Sequence, residues 1–343
     1  MTLLSDAVLS VEGLTVSFAT EHGRVRVTED VSFHVGARET VGLVGESGCG
    51  KSVTALSIMR LIPDPPGRID GGRVLFDGQD LASMTEDEMS DIRGNRIAMV
   101  FQEPMTSLDP AFTVGEQIAE VIRRHTEVGR SKAAARAVEM LGVVGIASPA
   151  RRANDYPHSF SGGMRQRVMI AMALALEPRL LIADEPTTAL DVTIQAQILD
   201  LLRSLRDQFG MSLLLVTHDL GVVAETCDRV TVMYAGQVIE SAGIDDTFYS
   251  PRHPYTQALF ECLPQVASGA HLHGIPGTVP PAHAFPRACR FHPRCTFAQA
   301  GRCDTVAPLL VESGPGRLVR CLRAGELALP GIVGTAASSE ATV

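Results

Sequence analysis

The sequence predicts an α/β fold built on a mainly parallel sheet, and three apolar runs carry that prediction. Thr40–Val44 stops at Gly45, Leu180–Ala183 at Asp184, and Ser212–Val216 at Thr217. Runs this continuous suit strands covered on both faces, and longer stretches of helical period lie between them. Each run ends in polar or glycine residues. Open sheets of this kind bind ligands there, off the carboxyl ends of their strands.

The alternation of short β-rich runs and helical patterns extends from about residue 8 to about residue 248, so residues 1–249 are read as one domain. From Ser250 onward prolines and glycines recur, and helical periodicity fades after about Leu263. Residues 250–330 are therefore read as a loop-rich extension, and the small, polar residues 331–343 are expected to be a disordered tail. A net charge of −9 argues against a whole-surface attraction to nucleic acid or anionic lipid. Residues Met1–Gly13 lack a charged segment followed by an apolar one, so no signal peptide is expected. The apolar runs Val168–Leu176 and Met211–Val216 fall far short of the ~18 residues a membrane span needs. A cytosolic chain that reaches a membrane only through a partner is the expectation.

Gly45, Gly50, Lys51 and Ser52 have the spacing G-x-x-x-x-G-K-S/T, after a predicted strand and before a predicted helix over Val53–Leu61. Glycines let such a loop curl so that its N–H groups point at phosphate oxygens, and the following helix adds the positive end of its dipole. Gly45, Ser47, Gly48, Cys49, Gly50 and Val53 are thus candidate phosphate-binding positions. Lys51 would reach the β- and γ-phosphates and Ser52 would ligand Mg²⁺. A glycine-rich turn with a surface lysine is the bland alternative, weakened by the flanking strand and helix.

The second run ends on Asp184 and Glu185, and a buried strand does not end on adjacent carboxylates without a cation or proton to manage. Asp184 fits a Mg²⁺ partner through water, and Glu185 fits a base that polarises an attacking water. A solvated strand end is the alternative. The third run leads to His218, which would touch a γ-phosphate or orient that water, although a lone histidine is more often structural.

Phe160-Ser161-Gly162-Gly163-Met164-Arg165-Gln166 opens a helix whose expected apolar stripe is Met164, Val168, Ala171 and Ala175, with Arg165 and Gln166 turned away. A serine and two glycines at a helix start make a second phosphate nest, surplus for one nucleotide in one domain. The segment resembles the signature motif of ABC transporter nucleotide-binding domains, and the resemblance spans about residues 8–248 with the motifs in the family's order. It implies an ABC-type P-loop NTPase fold: a parallel core, an antiparallel β part and a helical signature subdomain. It further implies an ATPase whose Ser161, Gly162 and Gly163 close over ATP held by the partner's phosphate loop. Phe18 is placed like the aromatic that stacks on adenine, Gln102 like the glutamine that contacts Mg²⁺, and Ala189-Leu190-Asp191 like the loop that crosses the dimer interface. Phe160 stands where leucine is usual.

Finer resemblance points to the oligopeptide/dipeptide importer ATPases, through Phe101–Pro110 and through Ser250–Leu259, which opens their C-terminal extension. That resemblance implies a heterodimer with a second homologous ATPase, two membrane permeases and an extracytoplasmic binding protein, with no nucleic acid. It places the chain at the cytoplasmic face of the membrane. A soluble ABC ATPase of another class and an Fe–S regulatory protein are the rival readings.

Cys289, Cys295, Cys303 and Cys321 cluster in the extension, leaving Cys49, Cys227 and Cys262 as packing residues, with Cys49 open to oxidation if accessible. Thiolates on loops suit an Fe–S cluster or Zn²⁺, though the paired C-x2-4-C knuckles of zinc sites are absent. The resemblance favours a 4Fe–4S cluster; zinc and no metal remain alternatives. His292 is a stray candidate ligand, and structural stapling is the expected role of any metal.

Overall fold

The computed structural model describes residues 7–21, 23–102, 107–188, 190–263 and 274–332. Glu103–Thr106, Ala189 and the tail from 333 lie outside the described residues.

The chain begins as an antiparallel sheet. Strands β1 (Ala7–Thr20) and β2 (Gly23–Gly36) form a hairpin. After β3 (Thr40–Val44) and α1 (Lys51–Ile58), β4 (Gly67–Phe76) returns to pair with β1, and β5 (Gln79–Asp80) completes the order β2-β1-β4-β5. The expected helix over Val53–Leu61 starts two residues earlier, at Lys51, because Gly50 reaches φ 104° and caps it. α2 (Glu86–Ile92) opens with a capping box, in which the Glu88 N–H donates to Thr85 Oγ1 and the Thr85 N–H to Glu88 Oε2.

A helical layer follows β6 (Ile97–Val100): α3 (Val114–His125), α4 (Arg130–Val143), the single turn α5 (Pro149–Arg152) and α6 (Gly162–Ala173). α3, α4 and α6 pack on one another, and Ile118, Met140, Leu141 and Val168 are wholly buried between them. Next come β7 (Leu180–Asp184), α7 (Val192–Phe209), β8 (Ser212–Thr217), α8 (Leu220–Thr226), the consecutive strands β9 (Arg229–Tyr234) and β10 (Gln237–Gly243), and the helices α9 (Ile244–Tyr249) and α10 (Pro254–Glu261). Gly210 stops α7 at φ 63°, a left-handed position that glycine adopts without strain.

The second sheet has the order β11-β12-β10-β9-β3-β8-β7-β6, where β11 is Val311–Glu312 and β12 is Leu318–Val319. Its five strands from β9 to β6 are mutually parallel. Along β8, Leu213 and Leu215 face one core and Leu214 and Val216 the other. Along β7, Leu181 and Ala183 oppose Leu180 and Ile182 in the same way. Burial on both faces is why these runs carry no polar alternation, and each buried leucine contributes about 2 kcal/mol relative to exposure. The antiparallel sheet and α1 cover one face; the helical layer covers the other.

The chain beyond Ser250 returns to this framework. β12 pairs with β10 antiparallel, and Tyr255, Phe260 and Phe291 join the core that holds the helical layer. Among the described residues no helix is long and apolar enough to cross a membrane.

Candidate nucleotide-binding and hydrolysis site

The site forms where β3, β7 and β8 end side by side. β3 runs into Gly45, whose φ of 152° admits glycine, and a Cβ there would stand 2.2 Å from the Met233 carbonyl oxygen. At Gly50 a Cβ would press on Thr28 Cγ2 at 2.8 Å. These two positions fix the loop's path. Lys51, 5% exposed, curls beneath the loop and donates from Nζ to the carbonyls of Gly45 (2.8 Å) and Glu46 (3.3 Å).

Ser52 Oγ donates to Asp184 Oδ1 at 3.1 Å, joining the loop to the end of β7. Burial pushes the Asp184 carboxyl above its ordinary range; the Ser52 hydrogen bond opposes that push and the neighbouring Glu185 adds to it. The next residue, Glu185, takes φ 46°, and its N–H donates to Val216 O of β8 at 2.9 Å. Three side chains then converge on the Glu185 carboxylate. Gln102 Nε2 reaches Oε2 at 3.2 Å, Thr188 Oγ1 reaches Oε2 at 2.8 Å, and His218 Nδ1 lies 3.4 Å from Oε1. A cleft of about 350 Å³ opens between Gly45, Glu46, Ser47, Glu185, His218 and Leu220. A carboxylate held by three neighbours at the mouth of a phosphate loop can orient a water beside a terminal phosphate.

Thr188 has no motif of its own, lying three positions past Glu185 in a tight turn. Val53 packs toward the core beneath the antiparallel sheet. Phe18 sits on β1 opposite Gly67, where a Cβ would come 2.9 Å from its ring, and it does not line the cleft.

The signature residues lie elsewhere. Ser161 caps α6 by accepting the Met164 N–H at 3.4 Å, and Ser161 and Gly162 are exposed. Asp191 caps α7 through the Ile194 N–H at 3.0 Å. A Cβ at Gly163 would strike Ile194 Cγ2 at 2.6 Å, and one at Gly162 would meet Leu190 Cδ2 at 3.5 Å. The two segments therefore meet each other, and none of their residues lines the cleft. One expectation fails here: Gln166 is not turned away from the core but 1% exposed, its Nε2 without a hydrogen-bond partner. α6 is sandwiched between α3, α4 and α7, so the side read as polar is also covered.

Cys289, Cys295, Cys303 and Cys321 all line one small, largely apolar cavity, with Phe291 and His292 beside them. Burial pushes the Cys289 thiol up and those of Cys295 and Cys321 to about 11, and the thiols raise one another further. The Arg323 N–H points at Cys321 Sγ at 3.4 Å. Four soft donors around one cavity fit a thiolate-bound metal centre by type. Among the described residues, however, no three histidine, cysteine, aspartate or glutamate side chains converge to hold a metal ion. Cys49 is wholly buried, which removes the exposure its oxidation would need.

Comparison with known proteins identifies the family. Residues 28–188 match the ABC transporter family and residues 239–303 match the oligopeptide/dipeptide transporter C-terminal region. The oligopeptide transport ATP-binding protein OppD of Bacillus subtilis is 52% identical over 293 residues, covering 85% of this chain and 82% of that protein. AppD of the same organism, also an oligopeptide transport ATP-binding protein, is 50% identical over 315 residues, covering 92% and 96%. A dimeric ATP-binding cassette solved in a post-hydrolysis state with ADP and Pi superposes with a TM-score of 0.62 at 28% identity, over 69% of this chain and 98% of that one. With these motifs on this fold, the chain belongs to the ATP-binding subunits of the oligopeptide/dipeptide ABC transporter family.

Proposed function

We propose that this ATPase powers the import of di- or oligopeptides, holding MgATP on Gly45–Ser52 and hydrolysing it with Glu185 as the base. The convergence of Gln102, Thr188 and His218 on Glu185, in a cleft shared with Gly45, Glu46 and Ser47 of the loop, carries the proposal. Lys51 neutralises the β- and γ-phosphates, and the loop N–H groups hold their oxygens. Ser52, Asp184 and Gln102 would hold Mg²⁺, which would supply positive charge to offset that of the phosphates. Glu185 accepts a proton from the attacking water, and His218 orients that water toward the γ-phosphate. Phe18 would provide the adenine platform from its place on β1, beyond the lining of that cleft.

Ser161, Gly162, Gly163 and Asp191 act on a different ATP. The exposure of Ser161, Gly162 and Asp191, and the fact that none of the four lines the chain's own cleft, support closure over the loop of a second ATPase subunit. We read that subunit as a homologue, forming a heterodimer; intact mass of the purified complex distinguishes it from two copies of this chain. The permease contact is assigned to an open groove of about 830 Å³ that includes Leu61, Phe101 and the 52%-exposed Phe112. This places the subunit at the cytoplasmic face, fed through permeases by an extracytoplasmic binding protein. Cys289, Cys295, Cys303 and Cys321 are proposed to bind a 4Fe–4S cluster that staples the extension, supported by their shared cavity. Iron and labile sulfide in anaerobically purified protein test that assignment.

The deciding experiment replaces the base. Glu185→Gln in the assembled transporter should keep MgATP binding while turnover falls by about 10²–10⁴-fold, the range of general-base catalysis. Normal turnover by that variant would remove Glu185 from the role.

A further inference from the structure

Glu46, the second residue of the phosphate loop, is held from far along the chain. Arg294 Nη1 donates to Glu46 Oε2 at 2.6 Å and Nη2 to Oε1 at 3.0 Å, a bidentate pair across 248 positions. The Glu46 N–H donates to the Tyr255 hydroxyl at 3.0 Å. The Glu46 carbonyl accepts Lys51 Nζ. Backbone donor, backbone acceptor and side chain of one loop residue are therefore all committed, two of them to the C-terminal segment.

That clamp is itself fixed. Arg294 is 8% exposed and also donates from Nε to the Pro276 carbonyl at 2.7 Å. Tyr255 is fully buried, its ring 4.7 Å from that of Tyr234 and 5.3 Å from that of Phe291. Charge gives the arrangement its function. Glu46 lines the cleft where the triphosphate is read to bind, and an unpaired carboxylate there would repel it. Arg294 cancels that charge, and Tyr255 holds the peptide plane whose carbonyl meets Lys51.

We propose that Arg294 and Tyr255 are positioning residues for the phosphate loop: the C-terminal segment sets the ATP affinity of the loop by neutralising and orienting Glu46. The inference rests on Gly45–Ser52 being the nucleotide site. Its test is equilibrium binding of MgATP, MgADP and adenosine to the full chain, with melting temperature recorded alongside. Arg294→Gln should weaken MgATP by about tenfold, MgADP less and adenosine least, because the exposed carboxylate acts on phosphate charge. Adding Glu46→Gln to Arg294→Gln should restore most of the MgATP affinity, a rescue that loss of packing would not give. Should Arg294→Gln not fold, Tyr255→Phe, which keeps the ring and removes the hydroxyl, should still weaken MgATP several-fold with little change in melting. Wild-type MgATP affinity in a folded variant, or weakened binding that Glu46→Gln does not rescue, overturns the inference. Lys51→Ala separates the two levels: if it binds MgATP normally, the loop assignment fails, whereas loss there with an unaffected Arg294→Gln defeats the inference alone.

Discussion

Ser52 Oγ and Asp184 Oδ1 are 3.1 Å apart although their residues are separated by 132 positions in the chain. One ends the phosphate loop and the other ends β7, so the parallel pairing of β3, β8 and β7 sets the distance between them. Two oxygen donors so close, one a carboxylate, suit a hard divalent cation. Ser52→Ala or Asp184→Asn should therefore weaken ATP binding at least ~10-fold in the presence of Mg²⁺, with little effect in EDTA. Isothermal titration with and without Mg²⁺ reads the difference, and equal losses in both conditions would place the pair outside the cation's reach.

Thr188 acts on Glu185 rather than on nucleotide. Its hydroxyl holds Oε2 at 2.8 Å, the shortest of the three polar contacts on that carboxylate. Freed of it, the carboxylate gains rotamer freedom and spends less time aligned with a water. Thr188→Val keeps the branched shape and should lower kcat about tenfold while the KM for ATP changes little. Steady-state kinetics on the assembled transporter check this; a rise in KM at constant kcat would point to a nucleotide contact instead.

The strands, the phosphate loop and the paired carboxylates are legible in the sequence because local composition and chemistry agree there. Thr40–Val44 forms β3 with those bounds, and the other two runs extend by one residue to Asp184 and Thr217. What is not legible depends on partners distant in the chain. Thr188 carries no spacing signal, since its role arises only when Glu185 adopts a positive φ and turns back over it. Gln166 reads as a surface residue by helical phase, yet its helix is covered on both sides. Arg294 reads as a loop arginine beside Cys295 until the fold returns it to Glu46. Periodicity reports one face of an element; it does not report a second layer laid over the other.

Gly163 has a packing duty as well as any part in binding phosphate. Its missing Cβ leaves room for Ile194 Cγ2, which would otherwise lie 2.6 Å away. Gly163→Ala should destabilise the chain by about 1–3 kcal/mol through overpacking of α6 on α7. Ile194→Ala removes the clashing methyl, so the double variant should recover most of that loss by thermal melting. If ATP turnover stays low once stability returns, the glycine's backbone is needed for the partner's nucleotide, and the two duties separate.

Cys49 and Cys227 should behave as inert thiols although one lies in the phosphate loop. Both are buried, and burial pushes both thiols up, Cys227 to about 12. Thiolate is the reactive species, and at pH 8 its fraction at Cys227 is on the order of 10⁻⁴. Alkylation by iodoacetamide at that pH, mapped by peptide mass spectrometry, should leave both residues unmodified in the folded chain and label both in urea. MgATP should not change this pattern, because the barrier is the packed core behind the loop and not a bound ligand in front of it. Labelling of Cys49 that MgATP suppresses would instead mean the loop opens from its own core, and that the clamp on Glu46 does not hold it.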